Sequence, residues 1–284
     1  MQNSSFISNL KKGISSRLSS SFKNPYKKVG LSWLQIKKLK HLAPGKIRRY
    51  PFLHKEIYFT APAELLHGVR EIFIEELYKQ ELQPNPYIID CGANIGLSVI
   101  YAKEHYPGAR IIAFEPDDMN FSLLEDNIKS FGYSNISLKK EAVWIANTEL
   151  EFAGLGSMSS KINHNSGLAT KTVKATRLRD LLSEKVDFLK IDIEGAEYAV
   201  LKDIRDSLQN VKNLFVEYHG NFNQTGELTA MLTWIDEQGF SYYIKEAAPV
   251  YVTPFARKKR DVYGYDVQLN IFCFRTAEKA PPVI

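Results

Sequence analysis

A doubly wound α/β fold with a mostly parallel sheet and helices on both faces is the class this sequence predicts, and three stretches predict it. Tyr87-Ile88-Ile89-Asp90-Cys91-Gly92-Ala93-Asn94-Ile95-Gly96 is a short apolar strand running into a carboxylate and a glycine-punctuated turn. From Leu97 the spacing turns helical, with Val99, Ile100 and Ala102 able to pack back on a sheet. Strand, tight turn and helix in that order open the nucleotide-binding folds of this class. Arg110 to Phe114 is a second apolar strand and ends at Glu115, nineteen residues past Gly96. An acid at about 20 residues is where such folds hydrogen-bond a ribose. Val186 to Ile191 is a third buried-strand pattern, and it emits Asp192 and Glu194 before Gly195.

The first turn narrows the ligand. A dinucleotide fingerprint needs a middle glycine so that a pyrophosphate can reach the helix N-terminus. Here Asn94 stands between Gly92 and Gly96 and the spacing is shorter, which argues against a nicotinamide-dependent oxidoreductase. A carboxylate at Asp90 would also repel a pyrophosphate. It suits a ligand carrying an ammonium, such as the methionine part of S-adenosylmethionine, whose sulfonium is cationic as well. The bland alternative is a turn that only closes a strand onto a helix.

The chain has 284 residues, enough for one sizeable α/β domain plus an extension. With 44% apolar and 24% charged residues, the composition is that of a globular protein, and no apolar run reaches membrane-spanning length. Cys91 and Cys273 are the only cysteines and lie far apart, so no zinc-ligand spacing exists and a reducing compartment is expected. The net charge of +5 hides an asymmetry: residues 1–50 hold twelve Lys or Arg and no acid, leaving 25 basic and 32 acidic side chains beyond. The expected organisation is therefore a basic arm over 1–50 and a catalytic domain over 51–284, with its core at 86–245.

Within the arm, Phe6, Ile7, Leu10, Ile14, Leu18 and Phe22 recur at helical spacing, and Leu31, Leu34, Leu39 and Leu42 form a second set among lysines. Three readings stay open: a flexible tail on the acidic body, an arm lying on an anionic membrane surface, or a Ser-rich transit peptide. A nucleic-acid partner is the less favoured use of the same charge. The expected location is cytoplasmic, peripheral to a membrane if the arm attaches there, and organellar if residues 1–50 are a transit peptide.

Further along, Lys55–Thr60 predicts a strand and residues 62–77 a helix, which Gln83-Pro84-Asn85-Pro86 breaks. Asp117 and Asp118 suit the N-terminus of a helix closed by Phe131-Gly132, and Asp117 can also face an adenosine. Ile136–Trp144 predicts one strand, Glu149–Phe152 another, and Gly154–Thr170 a long loop of the kind that forms lids. Lys171–Thr176 and Asn213–Tyr218 are further strands, the latter carrying Glu217 and ending beside His219. Leu228–Gln238 is a helix, and Phe240–Lys245 with Asn270–Arg275 close the sheet antiparallel. Arg257-Lys258-Lys259-Arg260 reads as a solvated face.

These residues carry a resemblance. Asp90-Cys-Gly92-Ala-Asn94-Ile-Gly96, Phe114-Glu115-Pro116 and Leu189-Lys190-Ile191-Asp192-Ile193-Glu194-Gly195-Ala196-Glu197 closely resemble the FkbM family of S-adenosylmethionine-dependent methyltransferases, over Ile88 to Tyr243. The resemblance implies a Rossmann-like methyltransferase fold with a reversed final strand. It implies O-methylation of hydroxyls on polyketides, sugars or surface glycans. It assigns Asp90, Gly92, Asn94 and Gly96 to the methionine end of the donor and Glu115 to the ribose. Glu141, Ala142 and Val143 fall to the adenine, with Asp117 nearby. Asp192 would face the methyl group, with Glu194, Glu197 and His219 around the acceptor.

Methyl transfer needs alignment of oxygen, methyl and sulfur, and a base to help the hydroxyl lose its proton. His219 has the intrinsic pKa for that role and Asp192 is the other candidate. No metal is assigned from the spacing, although Asp192 and Glu194 could bind a divalent cation that acidifies the hydroxyl. RNA ribose methylation through the basic arm and a non-catalytic partner that keeps the fold are the rival functions.

Overall fold

The computed structural model describes residues 24–153, 161–162, 171–259 and 264–276. The helical pattern Phe6–Phe22, nearly all of Gly154–Thr170 and Arg260 lie outside them. The chain divides into two compact units, 1–79 and 80–284. The strands Arg48–Phe52 (β1) and Lys55–Phe59 (β2) pair antiparallel across residue 50, where the basic arm is expected to end.

In the first unit, Ser32 and Gln35 form a reciprocal capping box that starts α1, Trp33–Lys40. Helix α2, Pro62–Val69, follows the hairpin and runs into a π-helical turn, Arg70–Ile74. The predicted helix is shorter than its apolar pattern because Glu76 takes a positive φ of 55° and turns the chain away. Val29, Leu39, Phe52, Ile57, Leu65 and Val69 form the buried interior.

The second unit contains, in order, β3 (Tyr87–Cys91), α3 (Leu97–His105), β4 (Arg110–Phe114), α4 (Asp118–Phe131) and β5 (Ile136–Lys139). Short strands β6 (Ala142–Trp144), β7 (Thr148–Ala153), β8 (Lys161–Ile162) and β9 (Lys171–Arg177) follow. Then come β10 (Val186–Ile191), α5 (Glu197–Ile204), β11 (Val211–Gly220), α6 (Thr225–Glu237), β12 (Ser241–Glu246), a small ribbon of β13 (Tyr251–Thr253) and β14 (Lys258–Lys259), and β15 (Val267–Phe274). The main sheet has the order β12-β15-β11-β10-β3-β4-β5. Strands β11, β10, β3, β4 and β5 are parallel, and β15 runs antiparallel between β11 and β12. This is the Rossmann-like methyltransferase arrangement with one reversed strand.

The predicted strand Ile136–Trp144 is two strands in two sheets. Lys139, Lys140 and Glu141 interrupt its apolar pattern; β5 ends there, and β6 joins a separate sheet ordered β6-β9-β7-β8. Strand β3 is buried along its whole length, because helices cover both faces of a parallel sheet. Ile89, Leu189, Ile191, Val200, Leu201, Ile204 and Val216 belong to one continuous core, each such side chain contributing about 1.5–3 kcal/mol relative to exposure. The strand order reverses between β3 and β10. A crevice opens at such a switch point, outside the carboxyl ends of the strands, and the chemistry-bearing residues of the sequence collect there.

Candidate active site

The turn after β3 is tied down on three sides. Gly92 and Ala93 donate their N–H groups to the Phe114 carbonyl at 3.0 and 2.8 Å, strapping the turn to the end of β4. Asn127 of α4 donates from Nδ2 to the Ile95 carbonyl at 2.7 Å. On the far side the Asp192 N–H reaches the Cys91 carbonyl at 3.1 Å, so the two acidic stretches of the sequence abut. Gly92 has φ +88°, and a Cβ there would lie 1.8 Å from the Asp192 carbonyl oxygen. Gly96 has φ +92°, and a Cβ would meet Leu124 Cδ1 at 2.7 Å. Only glycine lets the turn sit this close to both neighbours. Asn94 takes φ 51°, which Asn tolerates, and its side-chain oxygen accepts from the Ile95 N–H.

Glu115 lies buried beside this turn. One carboxylate oxygen accepts from the Asn94 N–H and the other from the Asp117 N–H, each at 2.9 Å. Burial still outweighs these donors and pushes its pKa up to about 7. Asp117 caps α4, its Oδ1 accepting from Met119 and Asn120. Glu141 sits just past the end of β5, where its carboxylate accepts from the Thr176 hydroxyl, and Ala142 and Val143 are buried in β6. Asp118 pairs with Lys140 and Lys171.

Asp90 lies near the end of β3, just before the turn. It is buried, accepts from the Ser98 hydroxyl through Oδ2, and has Lys190 Nζ 3.3 Å from Oδ1. The same ammonium donates to the Gly92 carbonyl at 2.8 Å and lies 3.1 Å from Asp192 Oδ2. Lys190 was not among the residues picked from the sequence; the signal for it is a lysine inside an apolar strand.

Beyond Lys190 a second cluster gathers. Asp192, Glu194 and His219 present one ligand-type atom each within 4.8 Å of one another. Gly195 and Glu194 form the turn out of β10, and Glu197 opens α5 with its carboxylate buried, accepting from the Ile193 and Gly195 N–H groups. Glu197 also holds His219 Nδ1 at 3.1 Å, while His219 Nε2 lies 3.7 Å from both Glu194 and Glu217. Burial disfavours a charged ring, but Glu197, Glu194 and Glu217 outweigh it and raise the His219 pKa to about 10. The ordinary imidazole pKa suits a base, and the surrounding carboxylates shift the ring toward its charged form. Tyr265, which no local sequence pattern marks, sets its ring 4.9 Å from that of His219 at a tilt of 48° and donates to the Glu194 carbonyl.

Two features fit S-adenosylmethionine. The buried Asp90 Oδ1 makes no hydrogen bond, and an arriving ammonium would supply one. Glu115 offers two carboxylate oxygens, each with one donor already in place and further acceptor capacity for a vicinal diol.

Comparison with known proteins agrees. The family described as "Methyltransferase FkbM domain" matches residues 90–242. Methyltransferase 1 of Beauveria bassiana is 28% identical over 212 residues, spanning 64% of this chain and 82% of that protein. The 31-O-demethyl-FK506 methyltransferase FkbM of Streptomyces tacrolimicus is 25% identical over 217 residues, 64% and 79% of the two chains. The hexuronic acid methyltransferase AglP of Haloferax volcanii is 25% identical over 158 residues, 54% and 64%. With the family pattern across more than half its length, this chain belongs to the FkbM family of S-adenosylmethionine-dependent methyltransferases.

Proposed function

We propose that the protein O-methylates a hydroxyl of a glycan or polyketide-type acceptor. The observation that carries this reading is the contact between the two half-sites: Asp192 is hydrogen-bonded through its N–H to the end of β3 and faces the Glu194–Glu217–His219 cluster. An acceptor held by that cluster lies next to the donor turn. The names of two relatives support the oxygen chemistry, one a 31-O-demethyl-FK506 methyltransferase and one a hexuronic acid methyltransferase.

S-adenosylmethionine supplies an activated methyl group on a sulfonium. The residues do the rest. Asp90, beside Lys190, would receive the ammonium end, and Glu115 would accept from the ribose hydroxyls. Glu141 and Ala142 would lie toward the adenine. Asp192 and Glu217 are the carboxylates placed to take the acceptor proton as oxygen, methyl and sulfur align. His219 Nε2 lies 3.7 Å from both Glu194 and Glu217, where a charged ring would limit the repulsion among them.

The test is titration of S-adenosylmethionine into the protein, followed by transfer of labelled methyl to a panel of hexuronic acids, neutral sugars and macrolides bearing a free hydroxyl. Label in an ether linkage, lost in Asp192→Asn while donor binding persists, supports the reading. Donor binding with label appearing only in amines or RNA would refute it.

A second reading concerns the basic first unit. In α1, Trp33 is 55% and Leu34 80% exposed beside Lys37, Lys38 and Lys40. Apolar tips among lysines suit an anionic membrane surface. Among the described residues no helix is long and apolar enough to cross a membrane. Co-sedimentation with vesicles containing phosphatidylserine, compared with neutral vesicles, tests it; equal recovery with both would sink it.

A further inference from the structure

The acceptor cluster holds more than an acid–base set. His219 is buried, with its side chain 3% exposed, and its ring orientation is fixed from behind: Nδ1 lies 3.1 Å from Glu197, itself locked by two backbone N–H groups. A carboxylate on one ring nitrogen sets the tautomer and aims the other nitrogen outward, as for metal-bound histidines. Among the described residues the aimed atom, Nε2, has no hydrogen bond, its nearest carboxylate oxygens being 3.7 Å away. That is beyond hydrogen-bond reach. Around it Asp192 and Glu194 each bring a carboxylate oxygen within the same 4.8 Å, and both side chains are partly exposed. Ligand atoms at about 2.1 Å from one ion lie no more than about 4.2 Å apart, so a small inward movement of the carboxylates would close the three atoms on a cation.

We propose that Asp192, Glu194 and His219 Nε2 hold a divalent first-row cation of the Mn²⁺ class, with open positions that take the acceptor hydroxyl. One nitrogen and two carboxylates suit such an ion better than Ca²⁺, which prefers oxygen alone. Three protein ligands with positions left open are the mark of a catalytic rather than a structural site. Lys190 at 3.1 Å from Asp192 Oδ2 neutralises part of the negative charge and orients that carboxylate.

The cation addresses a chemical shortfall in the proposed reaction, on which this part rests. Carboxylates are weak bases against an alcohol. A metal-bound imidazole nitrogen is unprotonated, so any proton on His219 Nε2 leaves to solvent as the cation binds. A hydroxyl placed against the cation then becomes acidic enough to pass its proton to Glu217 and on to water. The oxygen lone pair forms the new C–O bond as the C–S bond breaks with its electrons to sulfur, so an ether, S-adenosylhomocysteine and one proton result.

The test uses the full chain stripped with chelator and titrated with MnCl2, reading free Mn²⁺ by electron paramagnetic resonance. One Mn²⁺ per chain is expected, with affinity reduced about 10-fold or more in Asp192→Asn and in Glu194→Gln. S-adenosylmethionine titration of each variant without metal reports that the fold and donor site are intact; Glu194→Gln, the more peripheral change, serves if Asp192→Asn fails to fold. No uptake by folded protein up to about 1 mM, or equal uptake by wild type and both variants, overturns the proposal. Mn²⁺ uptake that is lost in the variants, in a chain that methylates no hydroxyl, would uphold the metal site and refute the function instead.

Discussion

Lys190 of β10 and Asp90 of β3 are register partners in adjacent parallel strands, and their charged groups meet 3.3 Å apart with only 4% of each side chain exposed. The pair stands under the donor turn, because the same ammonium reaches the Gly92 carbonyl. Removing one member of a buried pair strands the other charge, which costs about 3–5 kcal/mol. Lys190→Met is therefore expected to destabilise by about that amount and to weaken donor binding. Asp90→Asn combined with Lys190→Met should recover part of the stability, and urea denaturation of the three variants measures the coupling. Additive losses would show the pair is not the unit it looks to be.

Much of this was legible in the sequence, and the gaps have physical causes. The strand–turn–helix at Tyr87–Leu97, the acid at Glu115 after β4 and the exit of Asp192 and Glu194 from β10 are local patterns, written in a single stretch each. Lys190 was hidden because its partners come from two strands roughly a hundred residues apart, and a lysine in an apolar run reads locally as an interruption. Tyr265 was hidden because its only distinction is where the loop folds back. His219 was visible as an imidazole, but its charge state depends on Glu197, Glu194 and Glu217 converging in space. The break at Lys139–Glu141 was in plain view as a run of charge and still overridden by the apolar residues on either side.

Gly92→Ala tests the close approach of the two half-sites. The new methyl would sit 1.8 Å from the Asp192 carbonyl, a backbone atom that cannot rotate away, on a residue with φ +88°. Strain and overpacking together predict a loss of about 2–4 kcal/mol. Donor affinity should fall with it, since the turn or the end of β10 must move. A variant with wild-type melting temperature and wild-type donor titration would contradict the geometry.

Glu197→Gln separates the charge of the buried carboxylate from its shape. Glu197 accepts from two backbone N–H groups and faces His219 Nδ1, and it is the largest contributor holding the ring protonated. An amide offers one acceptor in place of two and cannot stabilise the cation. In the metal-free variant the His219 pKa should fall from about 10 toward the ordinary 6.5. Ring-proton chemical shifts followed through a pH titration read this directly. An unchanged titration would mean Glu194 and Glu217 alone fix the charge.

Glu115 predicts how donor binding depends on pH. Its folded-state pKa is raised from 4.5 to about 7, chiefly by burial, so near neutrality the carboxyl is partly protonated before the donor arrives. A group with a raised folded pKa contributes stability that is fully present below about 4.5 and lost as pH rises through about 7. The ligand-free protein should therefore lose stability across that window as far as Glu115 governs it. Ribose hydroxyls donate, so they favour the carboxylate and lower its pKa in the complex. Affinity for S-adenosylmethionine should then rise with pH from about 5 to 8, with proton release on binding, seen as a buffer-dependent enthalpy in calorimetry. In Glu115→Gln the side chain no longer titrates: affinity drops by about 10-fold or more for a lost charged hydrogen bond, and the pH slope flattens. A wild-type affinity that is level across this range, or a slope that survives in Glu115→Gln, would remove Glu115 from the ribose site.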